Sequence, residues 1–211
     1  HPRVRRQRQM CIRDSNVTEG GGDSAEVALE LMPGNKIRKY DTWHAMGQGA
    51  TTGSLVVTLE ALKEMHLTPE DIQLIQNDTK TCPDTGMAGA SRSLYMDGNA
   101  TIIAANKLLA AMRKEDGTLR TYDEMKAEGI ETKYLGRYET NTTPGLCRLD
   151  PNTGIGDPTP AFTYCLNLAE VEVDTKTGKT TVLKFTCVDF VGRIGNIDAV
   201  NGLSLIHISE P

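Results

Sequence analysis

Residues 25–53 read AEVALELMPGNKIRKYDTWHAMGQGATTG, and this stretch decides how the first half of the chain is predicted to fold. Its opening alternates between apolar and polar residues, which is typical of a strand with one buried face; the apolar positions include Val27, Leu29 and Leu31. Pro33-Gly34-Asn35 then turns the chain, and residues 36–43 return as a second extended segment. The pattern predicts a β-hairpin that leads into a glycine-rich loop.

The glycine-rich loop is Met46-Gly47-Gln48-Gly49, and a predicted helix follows it directly. Apolar side chains recur at helical spacing from Thr51 to Met65, while charged side chains fall on the opposite side. The apolar positions are Leu55, Leu59 and Leu62, and the charged ones are Glu60 and Lys63. Extended segment, glycine loop and helix thus follow one another.

The same order recurs further along the chain. Thr68 is the predicted cap of a short turn that begins with Pro69, and residues 72–76 are predicted to form a strand. A second glycine-rich segment, Thr85–Ser93, then leads into a long amphipathic helix predicted from Ser91 to Met112. The apolar positions of that helix are Leu94, Ile102, Ala105, Leu109 and Met112.

The remaining elements complete a fold of mixed type. Residues 122–128 are predicted to form a short helix capped by Thr121, and residues 140–160 a long loop. Residues 162–173 and 179–188 are β-rich and joined by a turn, which predicts a second hairpin. The sequence therefore predicts an α+β fold with helices packed on mixed β-sheets.

Both ends of the chain differ from its middle. Residues 1–15 hold five arginines, and residues 203–211 form an apolar tail without a turn or cap signal. Back-translated, residues 5–15 and 203–211 match the transposon-adapter DNA that is used to prepare sequencing libraries. We interpret 1–15 and 203–211 as adapter-derived and place a partial native domain at 16–202. The alternative is a natural basic arm and a natural last strand.

Composition and charge limit the classes of function. The chain has 211 residues, of which 38% are hydrophobic, and no run that is long and apolar enough to span a membrane. Without the two ends, 18 basic residues face 26 acidic ones, a net charge of −8, so no nucleic-acid partner is expected. The remaining cysteines form no Cys-x-x-Cys pair, so neither a zinc nor an iron–sulfur site is predicted within this chain; they are Cys82, Cys147, Cys165 and Cys187. A cytoplasmic protein with reduced thiols is the simplest interpretation.

The two glycine-rich loops are the candidate binding elements. Glycine lets a backbone approach a ligand closely, and the N–H groups of a helix's first turn favour an anion. Gln48 offers both a donor and an acceptor, and Ser91, Arg92 and Ser93 suit phosphate or pterin groups. These features together fit a bulky, phosphorylated cofactor.

A purely structural interpretation stays open at this point. The glycines then serve turns, Thr51 and Ser91 cap helices, and Arg92 is a solvated charge. Neither loop fits the Walker pattern or the dinucleotide Gly-x-Gly-x-x-Gly pattern. Trp43 and His44 either line a pocket or form a packed aromatic beside a satisfied histidine. Two carboxylates, Asp189 and Asp198, are either acid/base groups or surface charges on loops.

The segments around the loops resemble the molybdenum hydroxylases, the family of xanthine dehydrogenases and aldehyde oxidoreductases, and single-chain bacterial aldehyde oxidoreductases in particular. The likeness covers most of residues 22–200. Its matching segments include Thr42-Trp43, Gly47-Gln48-Gly49-Ala50, Asn77-Asp78-Thr79, Gly89-Ala90-Ser91-Arg92, Gly98-Asn99-Ala100, Thr121-Tyr122-Asp123-Glu124-Met125-Lys126 and Ala169-Glu170-Val171-Glu172-Val173-Asp174. The chain is accordingly expected to be an internal part of molybdopterin-binding domains.

The resemblance implies which residues bind the cofactor. The first contact is assigned to Met46, Gly47, Gln48 and Gly49, and the second to Ala90, Ser91, Arg92 and Ser93. No side chain of this segment is expected to ligate the metal, and no catalytic residue is expected here, because the family's general-base glutamate lies in a Gly-x-Gly-Glu segment that this chain lacks. The family also implies a molybdenum–molybdopterin cofactor in its cytosine dinucleotide form, with two-iron two-sulfur clusters and FAD elsewhere in the complete enzyme.

The expected function is that of an enzyme fragment. The family oxidises aldehydes to carboxylic acids with water as oxygen source, and Met46 leaves open the alternative of xanthine or other N-heterocycle hydroxylation, because the aldehyde oxidoreductases have His there. Further alternatives are a noncatalytic phosphate- or nucleotide-binding α/β module and a protein without a ligand. The implied partners are a small aldehyde or heterocycle, iron–sulfur domains or an iron–sulfur subunit, and a second subunit, with neither nucleic acid nor membrane.

Overall fold

The fold is that of a computed structural model, which describes residues 23–76, 78–89, 92–140, 150, 152–155 and 164–206. Two compact units divide the chain at residue 160. The predicted adapter segment at 1–15 lies outside the described residues, as do residues 207–211 of the other one and most of the loop predicted at 140–160.

The first unit contains a four-stranded sheet. Strands β1 (Ser24–Met32) and β2 (Lys36–Tyr40) make the predicted antiparallel hairpin around a 3-10 turn at Pro33–Asn35. β3 (Ile72–Ile75) pairs in parallel with β2, and β4 (Lys133–Glu139) pairs antiparallel with β1. The strand order is β3-β2-β1-β4, so the prediction of a mixed sheet is confirmed.

Two helices follow the two glycine loops and pack on one another. Helix α1 (Ala50–Ala61) ends earlier than predicted, because the chain tightens into a 3-10 turn at Lys63–Met65 and takes a left-handed conformation at His66. Helix α2 (Arg92–Met112) lies across β1 and β4 and also contacts α1. The helices therefore cover one face of the sheet, as the sequence predicts.

The apolar core lies between this sheet and the helices. It contains buried residues from five elements and the segment after α1, so no single element closes it alone; its members are Leu29, Leu31, Ile37, Leu62, Ile72, Ala104, Ala105, Leu108, Leu109, Met112 and Met125. The predicted apolar face of α2 is wrong at Leu94 and Ile102, which are 59% and 46% exposed. The face toward the sheet instead uses small residues, such as Ala100 and Ala104, which let the helix approach closely.

Strand β4 is an element that the sequence did not predict. Its central residue, Gly136, faces α2 so closely that a Cβ atom there would overlap the carbonyl oxygen of Ala100 and lie 2.6 Å from the amide nitrogen of Ala104. A glycine inside a short run weakens the strand signal in the sequence. Here the absence of a side chain is what allows the helix to rest on the sheet.

The capping predictions are confirmed. Thr68 and Asp71 form a capping box around the 3-10 turn Pro69–Asp71. Thr121 accepts a hydrogen bond from the amide of Glu124 at the start of helix α3 (Tyr122–Ala127), again in a capping box. Short polar motifs therefore determined these element starts locally.

The second unit contains a hairpin and a helix. Strands β5 (Tyr164–Val173) and β6 (Thr180–Phe190) pair antiparallel as predicted, with a register shift between Glu170 and Val171. Helix α4 (Ile197–Ile206) was not predicted, and it runs across the boundary that the sequence places after Gly202. The placement of two carboxylates on loops was wrong, since Asp189 lies in β6 and Asp198 in the first turn of α4.

Candidate cofactor-binding loops

The first loop, defined as residues 42–49, presents its tip outward. Met46 is 72% exposed, and Gly47, Gln48 and Gly49 are exposed as well. The Gln48 amide closes the loop on itself: its Oε1 accepts from the Met46 amide at 2.6 Å, and its Nε2 donates to the carbonyl oxygen of His44 at 2.8 Å. Gln48 therefore holds the tip in shape while its side chain remains accessible.

The backbone at the end of this loop needs glycine. Gly47 and Gly49 have φ values of 106° and 79°, which other residues rarely adopt, and a Cβ atom on either would meet nothing within 4 Å. Gly49 also occupies the N-cap of α1, where no side chain caps the helix. The alternative in which Thr51 is the cap is wrong, since Thr51 lies inside the helix. No side chain caps the first-turn N–H groups of α1, and uncapped N–H groups at a helix start suit an anionic group.

The second loop comprises residues 84–93, of which the structure describes 84–89 and 92–93, and its described part is attached to the base of the first loop. Thr85 and Thr42 bond reciprocally: the Thr42 amide donates to Thr85 Oγ1 at 2.9 Å, and the Thr85 amide donates to Thr42 Oγ1 at 3.1 Å. Thr85 Oγ1 donates in turn to the carbonyl oxygen of Glu26 in β1 at 3.0 Å. The structure thereby brings both predicted loops together beside the sheet.

Arg92 fixes the second loop to the start of β1. Its guanidinium forms a two-bond ion pair with Asp23, Nε to Oδ2 at 2.6 Å and Nη2 to Oδ1 at 2.7 Å. It also donates to the carbonyl oxygens of Ser24, Thr85 and Met87. All five N–H donors are thus engaged and the side chain is only 13% exposed, so the interpretation as a solvated charge is wrong. A ligand contact through Arg92 would have to replace one of these bonds.

The other predicted site residues divide into two groups. Ala90 and Ser91 lie outside the described residues, and Ser93 is half-buried in the first turn of α2. Trp43 and His44 do not form a pair, because Trp43 is buried while His44 is exposed. Trp43 is the packed aromatic of the structural interpretation, and its ring lies 5.8 Å from the Lys39 ammonium.

A buried ionic group behind the loops was missed by the sequence reasoning. Lys39 Nζ lies 2.8 Å from Asp97 Oδ2 and 3.3 Å from Asp41 Oδ2, and all three side chains are 0% exposed. Burial raises the pKa of Asp97 to about 6; the Lys39 charge opposes this shift and the Asp41 charge adds to it. One signal was available in the sequence, because Lys39 shares its strand face with the apolar Ile37.

Other parts of the described chain offer no competing metal site. No group of three or more His, Cys, Asp or Glu side chains is placed to hold a metal ion there, and no described helix is long and apolar enough to cross a membrane. A depression lined by His66, Met112 and Arg120, among others, lies at the carboxyl ends of α1 and α2. The glycine loops are at the opposite ends of both helices.

Comparison with known protein families shows which family the chain belongs to. The family profile described as "Molybdopterin cofactor-binding domain" matches residues 9–203. The chain belongs to this family. The first of its two glycine loops is exposed and precedes a helix whose first turn no side chain caps, which fits the polar pterin that gives the family its name.

Individual relatives agree with this assignment. The molybdopterin-binding chain is 37% identical over 182 residues to an aldehyde oxidoreductase from Megalodesulfovibrio gigas, covering 86% of this chain and 20% of that protein. It is 28% identical over 177 residues to a xanthine dehydrogenase/oxidase from Felis catus, covering 78% and 13%. The crystal structure of the aldehyde oxidoreductase from Desulfovibrio desulfuricans matches with a TM-score of 0.77 at 34% identity, over 95% of this chain and 23% of that one. The chain thus spans about a fifth of these aldehyde oxidoreductases.

Proposed function

We propose that the complete protein oxidises aldehydes to carboxylic acids with water as oxygen source. The observation that carries this proposal is the pair of glycine loops held side by side by Thr42 and Thr85 in a molybdopterin-binding domain. The higher identity to an aldehyde oxidoreductase, 37% against 28% for a xanthine dehydrogenase/oxidase, favours aldehydes over purines.

Hydroxylation of xanthine or another N-heterocycle is the second candidate. It is supported by the similarity to the Felis catus enzyme and by Met46 at the exposed tip of the first loop. Because Met46 is unbranched and uncharged, it leaves an apolar surface at the position where the aldehyde oxidoreductases have a histidine.

This chain contributes binding and orientation. The bound group supplies the redox chemistry and the activation of water. The backbone N–H groups at residues 47–51 and the Gln48 amide are suited to receive its oxygen atoms, and the amino end of α1 favours negative charge there. The Arg92 bonds to Asp23 and to three carbonyl oxygens hold the second loop on the start of β1, and the Thr42–Thr85 bonds hold it beside the first loop. In this proposal Ala90, Ser91 and Ser93 provide the contacts of the second loop.

Finer properties of the complete protein follow from the same proposal. We assign the cytosine dinucleotide form of the cofactor, two-iron two-sulfur clusters in the same chain or a separate subunit, and FAD as an additional group. The proposal also includes a cytoplasmic dimer or hetero-oligomer, and the acidic net charge argues against nucleic-acid or membrane partners. In the same proposal, residues 1–15 and 203–211 come from adapter DNA.

The test uses the full-length gene, expressed in a host that synthesises the molybdenum cofactor. The purified enzyme is expected to contain molybdenum and pterin and to oxidise a panel of aldehydes faster than purines. Gln48→Ala should lower kcat/KM, whereas Gln73→Ala, which removes an exposed glutamine that bonds only Arg38 among the described contacts, should not. Absence of both molybdenum and pterin would overturn the proposal. Tight nucleotide binding by such a cofactor-free protein, measured by calorimetry, would instead favour a noncatalytic module.

A further inference from the structure

The buried group Lys39, Asp41 and Asp97, called the Lys39 cluster below, connects the two cofactor loops from behind. Lys39 is the fourth residue of β2, and Asp41 follows that strand directly, at the start of the segment that becomes the first loop. Asp97 is the sixth residue of α2, just after the second loop. The Lys39 ammonium group therefore forms ion pairs with two carboxylates, one directly before the first loop and one in the helix that follows the second loop.

A continuous chain of polar contacts runs through this cluster from α1 to α2. Ser54 Oγ in α1 donates to Asp41 Oδ2 at 2.7 Å. The same oxygen lies 3.3 Å from Lys39 Nζ, which donates to Asp97 Oδ2 at 2.8 Å. Three short contacts thus connect the second turns of the two helices that follow the loops.

Asp41 is also anchored independently of Lys39. Its Oδ1 accepts from Gln76 Nε2 at 2.6 Å and from the Trp43 amide at 3.2 Å. The first loop is therefore fixed to the sheet edge even without the ammonium group. What Lys39 adds is the link to α2, and through α2 to the second loop.

The contact between α1 and α2 does not supply a comparable constraint. The buried residues of α1 are Ala50, Ser54 and Thr58, all small, and apolar contacts have no preferred direction. An ion pair between fully buried side chains is directional, and it remains satisfied only over a narrow range of distances. Within the contact between α1 and α2, the Lys39 cluster is thus the feature that favours one particular distance between the two helices.

The charge balance of the cluster makes this link sensitive to Asp97. Two carboxylates share one ammonium group, and within the described chain Asp97 Oδ1 has no hydrogen-bond partner. The groups that act on the Asp97 carboxyl are Lys39 and Asp41 from the β2 side and Thr101 from its own helix. Among the described elements packed on α2, neither β1 nor β4 adds a charge that affects it.

We propose that Lys39 and Asp97 are positioning residues of the cofactor site, and that their ion pair sets the spacing between the two glycine loops. This inference rests on the proposed function, because it assumes that both loops hold one cofactor. Neither residue touches the cofactor itself. Their effect passes through Asp41 to the first loop and through α2 to the second.

Asp97→Ala in the full-length enzyme tests the proposal without stranding a charge. Lys39 keeps Asp41 as its partner in that variant, so only the link to α2 is lost. Asp97→Asn keeps the side-chain shape and a weaker neutral bond. Met125→Ala is the matched control, since Met125 is also fully buried in the first unit but lies in α3, away from the loops.

Two readouts decide the outcome: the rate of pterin release and the amide hydrogen exchange of peptides that cover residues 42–49 and 84–93. Loss of a residue that orients metal ligands typically costs on the order of 10- to 100-fold in metal affinity or activity, and by analogy we expect release from Asp97→Ala to be faster by about 10-fold or more. Asp97→Asn should be intermediate, and Met125→Ala should stay near wild type in both readouts. Equal effects of Asp97→Ala and Met125→Ala would overturn the proposal.

A pH profile separates positioning from plain loss of stability. Wild-type release should accelerate as the pH falls through about 6, where the Asp97 carboxyl takes up a proton, and release from Asp97→Ala should not change there. A flat wild-type profile would overturn the proposal. If the wild-type enzyme contains no pterin, the proposed function has failed, and the hydrogen exchange of the two loops still decides whether Asp97 sets their spacing.

Discussion

Gly136→Ala is expected to separate helix α2 from the sheet. A Cβ atom at residue 136 would overlap the carbonyl oxygen of Ala100 and lie 2.6 Å from the Ala104 amide nitrogen, whereas ordinary contact begins at 3.4 Å. Both neighbours are backbone atoms, which no change of rotamer can remove. The helix must therefore move away by about 0.8 Å at Ala104, the difference between 2.6 and 3.4 Å, and further at Ala100.

The energetic cost follows from the packing that this movement disrupts. A small buried cluster lies between the helix and β1, and it consists of Ala25 and Val27 from the strand and Met96 and Ala100 from the helix. A gap of that width removes roughly a quarter to a half of the dispersion energy of each contact across it. Overpacking alone costs about 1 to 3 kcal/mol. We expect a total of about 3 kcal/mol or more, which corresponds to a roughly 100-fold loss of amide protection in β1 and β4.

Native-state hydrogen exchange on the full-length protein measures this effect, and α2 offers a matched control. Gly98 lies in the same helix, and a Cβ atom there would make an ordinary contact of 3.8 Å with Val57 Cγ1. Gly98→Ala should therefore be neutral or stabilising by up to about 1 kcal/mol through helix propensity. If the amides of β1 and β4 exchange as slowly in Gly136→Ala as in the wild-type protein, the close approach of α2 to β4 is refuted.

Three further predictions concern the loops and the buried cluster. Gln48→Ala removes two hydrogen bonds inside the first loop, so amide exchange at residues 44–49 should rise about 10-fold while the sheet keeps its wild-type exchange. Arg92→Lys loses the paired bonds to Asp23 and should loosen the second loop, seen as faster proteolysis near Met87 without global unfolding. Burial raises the pKa of Asp97 above its unfolded value. Asp97 therefore contributes to the free energy of unfolding an amount that is fully present below about pH 4 and is lost as the pH rises through about 6. In Asp97→Asn, the free energy of unfolding measured with urea should no longer fall over this pH range.

Much of the local structure could be predicted from the sequence because local rules govern it. The Pro33-Gly34-Asn35 turn, the capping residues Thr68 and Thr121 and the alternation in β1 each depend on residues a few positions apart. Strand β4 could not be predicted in this way, since its glycine is explained only by a helix some 30 residues away in the sequence. The burial of Leu94 and Ile102 was predicted wrongly for a similar reason, because the approach of α2 to the sheet selects its small-residue face.

The candidate site divides in the same way. The sequence by itself determined the two glycine loops, their position before helices and the resemblance that assigns them to a molybdopterin-binding protein, because glycine content and motif order are properties of the chain. Only the tertiary structure decided that Thr42 and Thr85 bond the loops together, that Arg92 uses all its donors within the protein, and that Lys39 is buried between two carboxylates. These contacts join residues distant in sequence, and their hydrogen-bond geometry exists only once the sheet has brought those residues together.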